Sequence, residues 1–170
     1  IRDVNGMLTG VLCISRDVNE RRNARKEIER LEFFDVLTGL PNRRMLMDRL
    51  DWSIRACRMR GTYAALLFID LDNFKDLNDS LGHQQGDRLL CEVGKRLIAN
   101  VRSGDVVARF GGDEFVVLVD HLGAVREQAE SHVRGVVEHL ISRFNQPFTL
   151  DGNVHYSTPS VGVTVFGDDE

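Results

Sequence analysis

The sequence predicts an α/β (α+β) sandwich: a central mixed β-sheet with helices packed against it. Three observations carry the prediction. YAALLFI (63–69) is a continuous apolar run of strand length, the pattern of a strand buried on both faces. Amphipathic segments with helical spacing alternate with such runs. Glycine-containing breaks at 111–112 and 151–152 join neighbouring strand runs as hairpins. Strands alternating with helices, together with hairpins, imply both parallel and antiparallel pairs.

Taken in order, MLTGVLCI (7–14) reads as a strand. RDVNERRNARKEIERL follows, with Asn19 placed as an N-cap. Ala24, Ile28 and Leu31 leave a thin apolar seam on it, which fits a solvated linker helix as well as a coiled coil. In FFDVLTGLPNRRML, Pro41 suits the first turn of a helix. Leu46, Leu50, Ile54 and Cys57 give that helix one apolar face, ending before Gly61. After the strand at 63–69, DLDNFKDLNDSLGHQQGD (70–87) is polar and turn-rich, with a helical turn about 73–80. Leu89, Leu90, Val93, Leu97 and Ile98 mark a helix over 88–100. VVARF and DEFVVLV flank Gly111 and Gly112, a hairpin whose two central residues can both take positive φ. A helix over 123–144 carries Val125, Ala129, Val133, Val136 and Leu140 on one face. PFTL-DGN-VHYST (147–158) is a second hairpin, and SVGVTVF (160–166) alternates as a last strand.

At 170 residues the chain fits one domain with a piece of a neighbour, and it opens mid-pattern, as part of a longer protein would. Hydrophobic residues at 42% and charged residues at 28% match a globular chain with a core. Lys+Arg 22 against Asp+Glu 26 gives net −4, which excludes a global basic field for nucleic-acid polymers. A polyanionic ligand then requires local cations or a metal. Cys13, Cys57 and Cys91 read as reduced, buried thiols of a cytoplasmic protein, with no zinc-type spacing. No apolar run approaches the ~20 residues of a membrane span, although the parent protein's anchoring stays open.

RFGGDEFVVLV (109–119) carries the chemistry. Asp70 stands where a buried strand ends and Asp113 at the turn end of a hairpin. If those strands are neighbours, two carboxylates meet at one sheet edge and repel unless a proton or cation intervenes. Magnesium fits such a pair, because it takes one or two carboxylates and shares its remaining positions with water and phosphates. Either acid alone is equally an ordinary turn former, and Gly-Gly alone an ordinary turn.

The five letters GGDEF (111–115) are the signature of diguanylate cyclases, and the sequence resembles that family from Asp35 to its end. DVLTGLPNRR (35–44) resembles the family's entry motif, FIDLDNFKDLNDSLGHQQGD (68–87) its strand-exit motif, and SVGVT its terminal strand. The resemblance implies a palm or nucleotidyl-cyclase-like fold over 35–170. It also implies a further helix and strand beyond residue 170, carrying a Lys and an Arg for the phosphates. Residues 6–30 resemble the last strand of a PAS-type sensor domain (1–18) and its exit helix (19–34). PFTLDGNVHYSTPSVGVT resembles domains that precede an EAL phosphodiesterase.

What the resemblance implies is the condensation of two GTP into cyclic di-GMP and two pyrophosphates. Catalysis takes place in a homodimer with two Mg²⁺ per site, or Mn²⁺. Asp70, the backbone carbonyl of Leu71, and Asp113 would be metal ligands. Asp113, Glu114, Lys75 and Arg109 would form the catalytic set, with Glu114 near the attacking hydroxyl or a metal and Lys75 on phosphate. Leu37, Asn78, Asp87, Gly111 and Gly112 would bind substrate, with Asn78 and Asp87 reading guanine; Asp87 also opens a helix. His83 would brace a loop, Asp72 would face away from the metal or support its turn, and Asp35 would pair with Arg43. Arg102 and Asp105 (RSGD, five residues before GGDEF) match the family's RxxD product-inhibition site. The alternative is a silent module that binds GTP or cyclic di-GMP and regulates an attached domain.

Overall fold

Asn42 starts the first helix because its side-chain oxygen accepts the Met45 N–H at 3.1 Å, satisfying a donor that the helix itself leaves unpaired. That helix, α1, spans Arg43–Arg60 and stops at Gly61, whose left-handed backbone (φ 59°, ψ 43°) returns its N–H to the Cys57 carbonyl. Pro41 lies upstream of the cap, not in the first turn. It forms an isolated bridge with Phe34, and its carbonyl accepts the Arg109 N–H at 2.9 Å.

The computed structural model describes residues 4–7 and 30–167, in two units, Ile1–Leu31 and Glu32–Glu170. The strand expected over 7–14, the Asn19 cap and Cys13 fall outside the described residues, as does most of the linker helix; residues 30–33 are helical. In the second unit the elements after α1 are β1 (Ala64–Leu71), α2 (Phe74–Leu81), α3 (His83–Ala99), β2 (Val106–Gly111) and β3 (Glu114–Val119). They continue as α4 (Arg126–Phe144), β4 (Phe148–Leu150), β5 (Asn153–His155) and β6 (Pro159–Phe166).

The α+β class is as expected. The sheet differs in one respect: its four strands, in order β2-β3-β1-β6, pair antiparallel throughout, where a mixed sheet was expected. The physical reason lies in the hairpin. β1 and β2 do run in the same direction, joined by the two helices, but β3 folds back from β2 and inserts between them. The parallel relation survives while every hydrogen-bonded neighbour is antiparallel.

One face of the sheet, with Leu67, Ile69, Phe115 and Val117, packs against Leu89 and Val93 of α3 and Val133 and Leu140 of α4. The opposite face, with Val116 and Leu118, packs against Leu46 of α1. Burial of this kind contributes roughly 1.5–3 kcal/mol per large apolar side chain. Both faces of β3 are therefore covered, which explains its unbroken apolar run. β4 and β5 form a separate hairpin whose Phe148 and Leu150 join the larger cluster. Cys57 and Cys91 are free thiols, and burial pushes both up from the ordinary thiol range. No helix among the described residues is long and apolar enough to cross a membrane.

Candidate active site at the hairpin end of the sheet

The β2–β3 turn is displaced by one residue from the Gly-Gly expectation. Gly111 belongs to β2 and pairs with Glu114, after a bulge that follows Arg109. The two connecting residues are Gly112 and Asp113. Gly112 alone of them takes positive φ, 51°, and a side chain there would be strained. Asp113 thus sits in the turn itself rather than after it.

β1 is longer than the apolar run, and Asp70 lies within it, paired with Glu114 of β3 and Ser160 of β6. Two acids directly opposite one another disfavour a sheet, so this end carries a cost that packing does not explain. Asp70 is exposed, and three influences push its carboxyl above the usual carboxylate value: partial burial first, then the charges of Asp113 and Asp72. Among the described residues, no Lys or Arg pairs with Asp70 or Asp113.

Leu71 is placed by strand alternation. The Asp72 N–H donates to the Thr158 carbonyl at 2.9 Å, so the backbone groups of Asp72 face β6. Those of Leu71 face the other way, toward β3, one step beyond the last pair, Asp70–Glu114. That is the level of Asp113. Asp72 has a bracing role: its carboxylate accepts from Thr158 Oγ1 at 2.6 Å and Ser160 Oγ at 2.7 Å, bonds that hold its carboxyl low. Asn73, with φ 56°, then turns the chain into α2.

Arg109 faces the entry loop. Its Nη2 donates to the Gly112 carbonyl at 2.7 Å and its Nη1 to Asp35 at 3.1 Å, an ion pair whose side chains are only 13% and 23% exposed. The expected Asp35–Arg43 pair is therefore not formed. Arg43 instead lies 4.7 Å from the centroid of the Phe110 ring. Asp35 also accepts from the Thr38 N–H and hydroxyl at 2.8 and 2.7 Å. Burial alone would raise its carboxyl; the hydrogen bonds from Thr38 and Arg109 outweigh that and hold it below the usual range. The entry loop and the hairpin turn are tied together through one guanidinium.

A second cluster lies along α2 and α3. Asp87 was expected to open a helix, yet α3 begins at His83 with Gly82 as N-cap and no capping side chain. His83 is thus the first residue of that helix. Asp87 is exposed one turn further in, beside buried Gly86. A methyl group at 86 would run into Oδ1 and Cγ of Asn78 and come within 3.1 Å of the Phe74 ring, so the α3 backbone at Gly86 packs directly on side chains of α2. Asn78 Oδ1 is buried there without a partner among the described residues. Leu37 and Asp87 line one groove of about 320 Å³. Lys75 is exposed on α2.

Arg102 and Asp105 stand apart, at the start of β2. The six residues of that strand separate them from the turn by roughly 20 Å. The Asp105 carboxylate, 4% exposed, accepts the Arg102 N–H at 3.0 Å, leaving the half-exposed Arg102 guanidinium beside His132 Nε2 at 2.6 Å. Nothing in the sequence marked His132; only packing of α4 brings it there.

Among the described residues, no three Asp, Glu, His or Cys side chains converge as a metal site. The Asp70 and Asp113 carboxylates and the Leu71 carbonyl are all oxygen donors of the kind suited to a hard cation.

The family model described as "Diguanylate cyclase, GGDEF domain" matches residues 32–170. The chain is 40% identical over 146 residues to MucR of Pseudomonas aeruginosa, a bifunctional diguanylate cyclase/cyclic di-GMP phosphodiesterase. The match covers 86% of this chain and 20% of MucR. It is 39% identical over 152 residues to NbdA of the same organism, a cyclic di-GMP phosphodiesterase, covering 89% of this chain and 19% of NbdA. The chain thus spans about a fifth of these relatives. Among solved structures, the isolated GGDEF domain of TpbB from P. aeruginosa superposes with TM-score 0.73 at 35% identity, covering 78% of this chain and 75% of that one.

Proposed function

The chain belongs to the GGDEF diguanylate cyclase family, and from that premise we propose that it joins two GTP molecules into cyclic di-GMP, as a homodimer with one nucleotide on each subunit. The observation that carries the reading is the shared level of Asp70, Leu71 and Asp113 at one end of the sheet, where like charges lie close and, among the described residues, no Lys or Arg forms an ion pair with either carboxylate. A divalent cation fits that set. Magnesium bound there supplies charge neutralisation for the triphosphate and lowers the cost of ionising the attacking hydroxyl.

The protein's own residues do the rest. Asp70, Leu71 and Asp113 hold the cation. Glu114, across the ladder from Asp70, stands ready to take the proton of the ribose 3′-hydroxyl as that oxygen attacks the α-phosphorus of the other nucleotide. The new P–O bond forms as the bond to the β-phosphate oxygen breaks, and pyrophosphate leaves; the second half repeats the exchange and closes the ring. Gly111 and Gly112 leave room for the nucleotide over the turn. Arg109 fixes the Gly112 carbonyl, and Lys75 supplies a cation for phosphate. Asp87 accepts from the N1–H and N2–H₂ edge of guanine, with Asn78 and Leu37 completing the base site. Arg102 and Asp105 form a separate product site, the guanidinium gripping phosphate bidentately.

Incubation with GTP and magnesium, followed by chromatography, tests the reading: cyclic di-GMP and pyrophosphate in 1:2 ratio support it, and GTP bound without turnover contradicts it. Gly86→Ala pushes Asn78 from its place. It is expected to weaken GTP binding about tenfold and to cost about 1–3 kcal/mol of stability, read by calorimetry and thermal melting. Arg102→Ala is expected to leave the initial rate unchanged while raising the product concentration needed for half-inhibition at least about tenfold. One observation favours a second reading: NbdA is named only as a phosphodiesterase. In that reading the domain binds GTP or cyclic di-GMP without turnover and regulates an attached EAL domain.

A further inference from the structure

The β4–β5 hairpin is fastened at both ends. At its base, Arg96 Nη1 donates to the carbonyls of Arg143 (3.1 Å) and Gln146 (2.6 Å), and Nη2 to that of Pro147 (2.8 Å). The same guanidinium lies 3.5 Å from the Phe148 ring centroid. At its tip, Asp151 takes a left-handed backbone, φ 50°, which Asp tolerates better than most residues. Its carboxylate accepts from Gln85 Nε2 at 2.9 Å and forms an ion pair with Arg88.

Gln85 and Arg88 are three apart on α3 and share a face. Between them lie Gly86, which touches Asn78, and Asp87. The start of α3 has no side-chain cap of its own, since Gly82 precedes it. A carboxylate from outside the helix bonds side chains of its first two turns, and negative charge is favoured at that end by the helix dipole. The hairpin also supplies Thr149, Leu150 and Asp151 as one wall of the groove whose other walls hold Leu37 and Asp87.

We infer that the hairpin tip is a positioning device for the nucleobase site: Asp151, through Gln85 and Arg88, fixes the turn of α3 from which Asp87 meets the base. Asp151 is a positioning residue, since it acts through its neighbours. The inference rests on the guanine reading of Asp87 and adds to it an element that the GGDEF letters do not mark.

The test uses the 170-residue chain and two triphosphates carrying a methylene group between the α- and β-phosphates, one of guanosine and one of adenosine, so that no pyrophosphate is released. Affinities are measured by calorimetry for the wild type, Asp151→Ala and Asp151→Asn. Asparagine accepts the left-handed backbone and keeps an acceptor for Gln85. The guanine-over-adenine preference is expected to fall about tenfold in Asp151→Ala, with partial recovery in Asp151→Asn, whose melting midpoint stays within about 2 °C of wild type. An unchanged preference in Asp151→Ala overturns the inference, as does equal weakening of both nucleotides with a fallen melting point. Wild-type chain without guanine preference removes the reading beneath it; wild-type preference that Asp151→Ala leaves intact removes the inference alone.

Discussion

Asp113→Asn is expected to leave a folded chain that makes no detectable cyclic di-GMP. Asparagine fits the turn that Asp113 occupies, and Gly112, which supplies the positive φ, is untouched. What disappears is one of the two charges at the sheet end, and with it, on the proposed function, the firm hold on a divalent cation. Removing a single electrostatic support from a reacting phosphate typically costs ~10²–10³ in rate, about 3–4 kcal/mol of transition-state stabilisation. A lost metal ligand belongs at or beyond the upper end of that range. The melting midpoint should stay level or rise, because the variant relieves repulsion on Asp70. Rate and melting are read on one preparation, so loss of activity through unfolding is recognised at once.

Phe115→Ala gives the opposite pattern. Phe115 follows Glu114 in β3, is 0% exposed and belongs to the larger core cluster. Emptying that position removes an aromatic side chain between the sheet and its helices, for a cost of about 3–5 kcal/mol. In a domain of this size the midpoint falls by roughly 10–20 °C. Urea unfolding measures it directly. Below the new midpoint, metal and nucleotide binding should persist, since none of the proposed ligands is altered.

The two variants separate what the sequence made legible from what it hid. The apolar runs that became β1 and β3, the Gly61 stop of α1 and the Asp-Gly turn at 151–152 were readable because local chemistry dictates them. α3 was read as starting near residue 88, since HQQGD carries no apolar periodicity; the structure starts it at His83. β1 was read as ending before Asp70 for a related reason. A charged residue inside a strand looks like a terminus until the neighbouring strand shows that it faces a site. The insertion of β3 between β1 and β2 depends on long-range pairing, which no local pattern encodes.

The site shows the same division. The residues proposed for metal and base were named from spaced motifs, but their partners were not. Asp35 was assigned to Arg43, nearby in sequence, whereas the sheet delivers Arg109 from 74 positions away. His132 beside Arg102 and Asp151 beside Arg88 likewise arise only from packing of α4 and of the second hairpin. Motifs register residues that must keep their identity for chemistry. Residues that merely hold them need only a complementary neighbour, and the folded chain supplies it.

On the proposed function, Asp70 and Asp113 hold one divalent cation between them. Titration of Mn²⁺ in the presence of the methylene-bridged guanosine triphosphate, with the free ion followed by electron paramagnetic resonance, tests it most directly. Binding to the wild-type chain is expected, with loss of that binding in both Asp70→Asn and Asp113→Asn. Wild-type affinity for Mn²⁺ in either variant would contradict it.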